Sequence, residues 1–439
     1  MSIKVLVITY YWPPSGGAGV QRALKFVRYF PEFGIEPIVL TVRPDKASYP
    51  VTDPTLEKDI TSAVRVITTD SFEPLNILSS LMGRKNVPYG GFANANKESK
   101  TQKILRWIRG NLFIPDARVG WVKYACKEAI RLIENENIQH VFISSPPHSS
   151  QLIGLKLKQR FPSIKWIADM RDPWTDIYYY KDLLHTSLAA RKDAAYERSV
   201  LESADTILVV SEAIKRQFSQ KSEKIKSEKI HVIPNGYDEA DFQTGVTPDA
   251  GSFTIAYVGT MADSYRPEVF FDVLIALIRK YPDKHIRFRF VGNAPWTLKK
   301  QTENSGLEPY CEWQGHVTHD EAIRQMQSAN LLLLIIPDTP GAEGILTGKL
   351  FEYIGAGRPI LGIGPVEGDA AKILRACGAG EMFGREDVKG ITDFINQRLE
   401  KYDLQFQNGT IRSYTREKLA EKVSCIIKKT IFFKENLYI

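Results

Sequence analysis

Residues 3–22 read IKVLVITYYWPPSGGAGVQR: an apolar, β-branched run, a loop of proline, serine and glycine, and then a helical pattern opening at Val20, Gln21 and Arg22. A short, mostly apolar run of this kind predicts a buried strand. It is far shorter than a membrane span and lacks the small-residue cleavage site of a signal peptide, so the chain is expected in the cytoplasm. Glycines after a strand let backbone amides approach an oxyanion, and a helix start adds partial positive charge. Gly16 and Gly17 are therefore phosphate-loop candidates, with a simple tight turn as the alternative reading. The loop fits neither G-x-G-x-x-G nor G-x-x-x-x-G-K-[ST], which weighs against a dinucleotide dehydrogenase and a P-loop nucleotidase.

The strand-then-helix unit recurs. Short apolar runs stand at 38–42, 64–68, 141–144, 166–168, 206–210 and 230–233, most of them separated by helical patterns. The pattern restarts at 253–258 and continues through 286–291, 331–336 and 359–363. Such alternation is the signature of a parallel sheet covered on both faces, so two doubly wound α/β domains are expected. Thr318 and Glu321 form a capping box at one helix start. The stretch 236–252 lacks a period and carries turn residues, which makes it the linker. The expected organisation is residues 1–244, residues 245–405 and a helical tail 406–439, in which Leu419, Val423, Ile426, Ile427 and Ile431 recur at helical spacing.

A chain of 439 residues suits two domains, and 43 % hydrophobic with 25 % charged residues is ordinary for a globular protein. A net charge of +7 is modest, and no nucleic-acid partner is expected. Seven Lys or Arg against one acid fall between Arg84 and Arg109, followed by Leu112 and Phe113. That stretch is a candidate contact with anionic lipid at the inner face of a membrane; a solvated basic loop and helix is the equal alternative. Cys126, Cys311, Cys377 and Cys425 lack paired spacing and are expected to be inert core thiols.

In doubly wound sheets ligands bind beyond the carboxyl ends of the strands, so the loops there carry the candidate site. His148, after the run 141–144, can orient a proton or contact a sugar hydroxyl, or simply pack. Arg171 and Asp172, with Asp169, put a cation between carboxylates at another strand end, as a polar acceptor site or a structural ion pair. Asn235-Gly236 reads as a turn. Gly259 ends the first strand of the second domain, Arg266 follows, and Gly292-Asn293 closes the next strand. An arginine fork suits phosphate oxygens.

The richest segment is 341–359, GAEGILTGKLFEYIGAGRP. It joins a turn at Thr347 and Gly348 to a helix with Lys349 on its first turn and Glu352 one turn on. Free amides at that helix start plus Lys349 can neutralise a diphosphate, while Glu352 can accept hydrogen bonds from ribose hydroxyls. That division of labour fits a nucleotide diphosphate.

Taken together, YYWPPSGGAGVQR at the start, ADTILVVSEAI at 204–214, VIPNGYD at 232–238, YVGT at 257–260 and GKLFEYIGAGRPIL at 348–361 resemble the family-4 retaining glycosyltransferases over nearly the whole chain. The resemblance implies a GT-B fold, two Rossmann-like domains facing a central cleft with a C-terminal closing helix. It also implies a nucleotide-diphospho-sugar donor, transfer with retention to a glycan or lipid-linked acceptor, and no obligatory metal. No Asp-x-Asp motif is present. By the same resemblance Gly16 and Gly17 contact the donor phosphates, Arg266 and Lys349 neutralise them, Glu352 holds the ribose and His148 touches the sugar. One departure stands out: the family's paired glutamates have seven residues between them, which would place the first at Gly344, whereas the nearest carboxylate is Glu343. Either Glu343 is displaced by one residue and still serves the sugar, or backbone and another side chain hold it. Of the family's usual Arg-x4-Lys only Arg266 remains, so Lys349 is expected to supply the second charge. A sugar-nucleotide epimerase and a non-catalytic sugar-nucleotide-binding scaffold are the competing readings.

Overall fold

The computed structural model describes residues 2–74, 100–248, 251–400 and 410–432. Its contacts divide the chain into two units, Met1–Pro234 with Arg416–Ile439, and Asn235–Thr415.

Unit one carries a seven-stranded sheet of β1 (Ile3–Ile8), β2 (Ile35–Val42), β3 (Arg65–Thr69), β4 (His140–Ser145), β5 (Lys165–Met170), β6 (Thr206–Val209) and β7 (Ile230–Val232). The order is β3-β2-β1-β4-β5-β6-β7 and every pairing is parallel. Its helices are α1 (Ala18–Tyr29), α2 (Lys100–Leu112), α3 (Val122–Glu136), α4 (Gln151–Arg160), α5 (Ser187–Ser203) and α6 (Glu212–Ser219). Because side chains alternate along a strand, Leu6, Ile8 and Leu40 join the core under α3 and α4. Val5, Val7 and Val39 face the other way, toward α1 and the closing helix Arg416–Phe432, which contributes Leu419, Val423 and Ile427.

Unit two has a six-stranded parallel sheet of β8 (Phe253–Val258), β9 (Ile286–Val291), β10 (Cys311–Gln314), β11 (Leu331–Ile335), β12 (Ile360–Ile363) and β13 (Gly380–Phe383), in the order β10-β9-β8-β11-β12-β13. The helices are α7 (Glu268–Lys280), α8 (Trp296–Asn304), α9 (His319–Gln327), α10 (Gly348–Ala356), α11 (Asp369–Cys377) and α12 (Val388–Glu400). In both units the strand order reverses beside the first strand, between β1 and β4 and between β8 and β11. Those two points are where a doubly wound sheet opens a crevice for ligand.

Three features differ from the sequence reading. The edge strands β10 and β13, CEWQ and GEMF, escape it because a half-buried edge strand need not be apolar. The first unit ends at Pro234 rather than near residue 244, since buried Tyr237 already packs in the core of unit two and its amide donates to Tyr414 O at 3.2 Å. The closing helix is part of unit one's core, and Cys425 lies exposed on it rather than buried. Thr318 does cap α9, accepting from the Glu321 amide at 3.4 Å.

One interaction binds the carboxyl end of unit one together. Arg22, on α1, reaches Asp169, on β5, with Nε at 3.0 Å and Nη2 at 2.8 Å, and both side chains are 0 % exposed. Arg22 Nη1 donates to Pro234 O at 2.8 Å, and Ser144 Oγ donates to Asp169 at 2.8 Å. Every charge here is paired, so removing one partner strands the other. We expect Asp169→Ala to destabilise the protein by about 3–5 kcal/mol in chemical denaturation, and Arg22→Met with Asp169→Leu together to recover most of that loss.

Candidate functional site

In unit two the site grows from β8. The strand ends in Gly259 at φ 128°, whose amide donates to Val291 O at 2.8 Å. The matching Gly292 has φ 123°, and a Cβ on it would stand 2.4 Å from Gly259 O, so only glycine fits there. Lys349, on the first turn of α10, folds toward this strand end. Its Nζ lies 4.1 Å from the centre of the Tyr257 ring, donates to Tyr257 Oη and approaches Thr260 O at 3.5 Å. Tyr257 Oη in turn donates to Thr260 O at 2.9 Å, which leaves its lone pair for the ammonium. A Cβ at Gly259 would come within 3.1 Å of Lys349 Nζ.

Burial pulls Lys349 down to about 7, with Glu352 opposing the shift. Loss of water disfavours a cation that no carboxylate contacts directly. Around it, α10 begins at Thr347, whose hydroxyl makes no capping bond and is buried without a partner, and the first turn contains no acid. Gly348 supplies the first helical amide. A partly buried ammonium, a helix start without an acid and a hydroxyl without a partner thus follow one another at the start of α10, a constellation that favours an anion. Glu352 is half-buried, and among the described residues no hydrogen bond or ion pair engages its carboxylate.

The other candidates of unit two stand apart from that centre. Arg266, at φ 50°, is exposed and ion-paired with Asp338 at 3.1 Å. Its neighbour Tyr265 comes within 5.6 Å of Lys349 Nζ. Arg385, absent from the sequence reading, ties the two loops by donating to Tyr265 O at 2.8 Å and to Ile336 O, with Nε 3.8 Å from Asp338. Asn293 is exposed; its carbonyl accepts from the Met261 amide at 3.1 Å. Glu343 is exposed in the short turn Ala342–Gly344, and among the described residues no contact joins it to Lys349 or Glu352. Beside Arg385 and Asp338, the loops after β11, β12 and β13 enclose an open depression of about 650 Å³.

Unit one offers a second cluster. The Gly16 amide already donates to Val51 O at 2.8 Å, whereas among the described residues no hydrogen bond engages that of Gly17, exposed at φ 88°. His148, in the turn between β4 and α4, stacks on Trp174 with ring centres 4.8 Å apart and planes 13° from parallel. Burial, with Arg171 adding to it, lowers His148 to about 3, so the ring is neutral. Its Nδ1 is buried without a partner. An unpaired buried donor is the costlier defect, so the proton belongs on Nε2. Asp116 fixes the turn, accepting from the Ser149 amide at 2.7 Å and hydroxyl at 2.8 Å.

Arg171 does not pair with Asp169, which Arg22 holds. Its donors go to Ser145 O at 2.9 Å, Pro146 O at 2.8 Å and Gly19 O, so it ties together the loops after β1, β4 and β5. Asp172 is left half-buried, with its carboxylate unbonded among the described residues. Burial raises its pKa against the pull of Arg171. Tyr257, Arg385, Asp116 and Trp174 are given no role by the sequence reading, although Tyr257 opens the motif YVGT and Trp174 stands two residues beyond Asp172.

The profile described as Glycosyltransferase Family 4 matches residues 89–241. No curated protein matches the chain. Among solved structures, a glycosyltransferase from Rickettsia africae aligns with a TM-score of 0.63 at 13 % identity, covering 98 % of this chain and 99 % of its own. WaaG, a glycosyltransferase involved in lipopolysaccharide biosynthesis, aligns at 0.52 and 14 % identity, with 96 % and 95 % covered. A putative UDP-N-acetylglucosamine 2-epimerase from Listeria monocytogenes aligns at 0.57 and 12 % identity, with 99 % and 98 % covered. These likenesses fix the fold: two Rossmann-like units of the GT-B type, as the sequence predicts.

The lowered pKa of Lys349 has a measurable consequence. A bound anion favours the charged lysine, so above about pH 7 binding takes up a proton and affinity falls as pH rises, by up to tenfold per unit. Titration with UDP between about pH 6.5 and pH 8.5 should show this decline, and Lys349→Met should bind weakly and flatten it. Constant affinity in the unsubstituted protein would contradict the assignment.

Proposed function

We propose that this protein is a glycosyltransferase that moves a sugar from a nucleotide-diphospho-sugar to an acceptor hydroxyl with retention, in polysaccharide or glycolipid biosynthesis. The observation that carries the reading is Lys349 folded against the end of β8 from the start of α10, whose first turn holds no acid, with the unbonded Glu352 one turn away. The fold and the family profile over residues 89–241 support it.

In this reading Lys349, Thr347 and Gly348 receive the diphosphate, with Gly259 giving the backbone room to approach. Arg266 supplies a second cation once it leaves Asp338. Glu352 takes the ribose hydroxyls. Gly17, with Gly16 shaping its loop, and Asn293 line the donor, and Glu343 serves its sugar. His148, neutral, donates from Nε2 to a sugar oxygen rather than taking a proton. Asp172 accepts from the acceptor, and Arg171 holds the loop that presents it. The acceptor oxygen replaces the diphosphate at the anomeric carbon, and its proton departs with the diphosphate. Stabilising that leaving group is the main task, and fixed donors at such a position contribute several kcal/mol, roughly 2.7–4. The reading needs no metal and no nucleic acid. It places the enzyme in the cytoplasm, with the basic residues between Arg84 and Arg109 against the membrane; 84–99 lie outside the described residues. Among the described residues no helix is long and apolar enough to cross a membrane.

Lys349→Ala and Glu352→Ala should each cut kcat/KM for the donor at least tenfold, from the loss of about 1.5–3 kcal/mol of charged hydrogen bonding. Screening UDP- and GDP-sugars by thermal shift identifies the donor to use. Unchanged turnover in the double variant sinks the proposal. The likeness to the Listeria epimerase favours one second reading, and donor incubated without acceptor separates them: an epimerised sugar supports the epimerase.

A further inference from the structure

Helix α5 turns two acids inward, Asp193 and Glu197, each 1 % exposed. Glu197 is neutralised by Lys221 at 2.8 Å. Among the described residues Asp193 meets only neutral donors: Trp174 Nε1 at 2.8 Å on one oxygen and Tyr180 Oη at 2.9 Å on the other. A buried carboxylate without a cation is costly, and burial accordingly raises Asp193 to about 6. Both of its donors belong to the loop that leaves β5, and one of them is the ring on which His148 stacks.

We infer that Asp193 is a positioning residue for sugar transfer, pinning the Trp174 indole and through it the His148 imidazole; this rests on the reading of His148 given above. Stacking sets the spacing between two rings but resists sliding weakly. A hydrogen bond at the indole Nε1 fixes the rotation that stacking leaves free. The backbone beside Trp174 has its own anchor, because Glu197 accepts from the Thr175 amide at 3.4 Å and from its hydroxyl at 2.5 Å. Loss of Asp193 therefore releases the indole while the loop stays attached to α5. Asp116 holds the backbone after His148 in the same way. Asp193 acts on the ring, the part of the pair that both backbone anchors leave unconstrained.

The test uses the whole protein with isotope-labelled histidine, the His148 ring signal being the one that disappears in His148→Asn. Asp193→Ala should shift that signal as the indole moves, and lower kcat about tenfold with little change in donor KM, the signature of misplacement rather than lost binding. Asp193→Asn, whose amide can accept from the indole and donate to Tyr180 Oη, should keep both near the unsubstituted values. In a Trp174→Phe background, which lacks the indole N–H, Asp193→Ala should add little. An unmoved His148 signal, or a full effect of Asp193→Ala in the Trp174→Phe background, overturns the inference, as does a shifted signal with unaltered kcat. If the unsubstituted protein transfers no sugar from any donor tried, the reading of the site fails, and the His148 signal alone decides whether Asp193 holds the ring.

Discussion

The buried pair of Arg22 and Asp169 governs the arrangement of unit one. It locks the helix that follows β1 to the strand end of β5 and, through Pro234 O, to the end of the unit. It also decides what Arg171 does. Asp169 and Arg171 lie two apart on the same side of an extended chain and look in sequence like natural partners. With Asp169 claimed from α1, Arg171 turns to the carbonyls of Gly19, Ser145 and Pro146. The loops bearing Gly17, His148 and Asp172 thus become three arms of one network, and disturbance at the buried pair reaches all of them. A dry ion pair of this kind contributes less to net stability than to a single arrangement, because its alternatives each leave a charge unpaired.

Most of this fold could be read from the chain, and the reason is the burial of its central strands. Strands covered on both faces are mostly apolar, so β1, β4, β8 and β11 announce themselves. The edge strands β10 and β13 are half-covered, tolerate Glu, Gln and Gly, and are invisible to the same criterion. The period of the closing helix was legible, but its destination was not, because an apolar stripe states that a helix docks without stating on what. Its Leu419, Val423 and Ile427 meet α1, some four hundred residues away in the chain.

The site divides along the same line. Lys349 and Glu352 were legible because they sit one turn apart on one helix beside its glycine boundaries, so local spacing places them. Tyr257, which receives Lys349, opens the motif YVGT, but nothing in that motif says that its ring and hydroxyl meet a lysine some ninety residues on. Arg385 reaches the loops after β8 and β11 from beyond β13, and Asp193 reaches Trp174 from the next helix; neither connection leaves any local pattern. The Gly16 amide shows what local context leaves out. Its sequence context suits an anion loop, but the chain itself occupies that donor through Val51.

Lys349 and Glu352 carry opposite charge at a helical spacing that ordinarily allows an ion pair, yet no such contact forms. Lys349 lies instead against the face and hydroxyl of Tyr257, a weaker partner for an ammonium than a carboxylate, and burial lowers its pKa against the pull of Glu352. Arg266 is the opposite case: exposed, already paired with Asp338, and so holding an interaction worth only about 0–1 kcal/mol. An arriving anion therefore gains little net from Arg266, which must exchange one screened partner for another. It gains most from Lys349, whose charge is held in a place that burial disfavours and no neighbouring acid offsets by contact. Glu352 likewise stays unbonded among the described residues, so neither group is satisfied by the other within the protein.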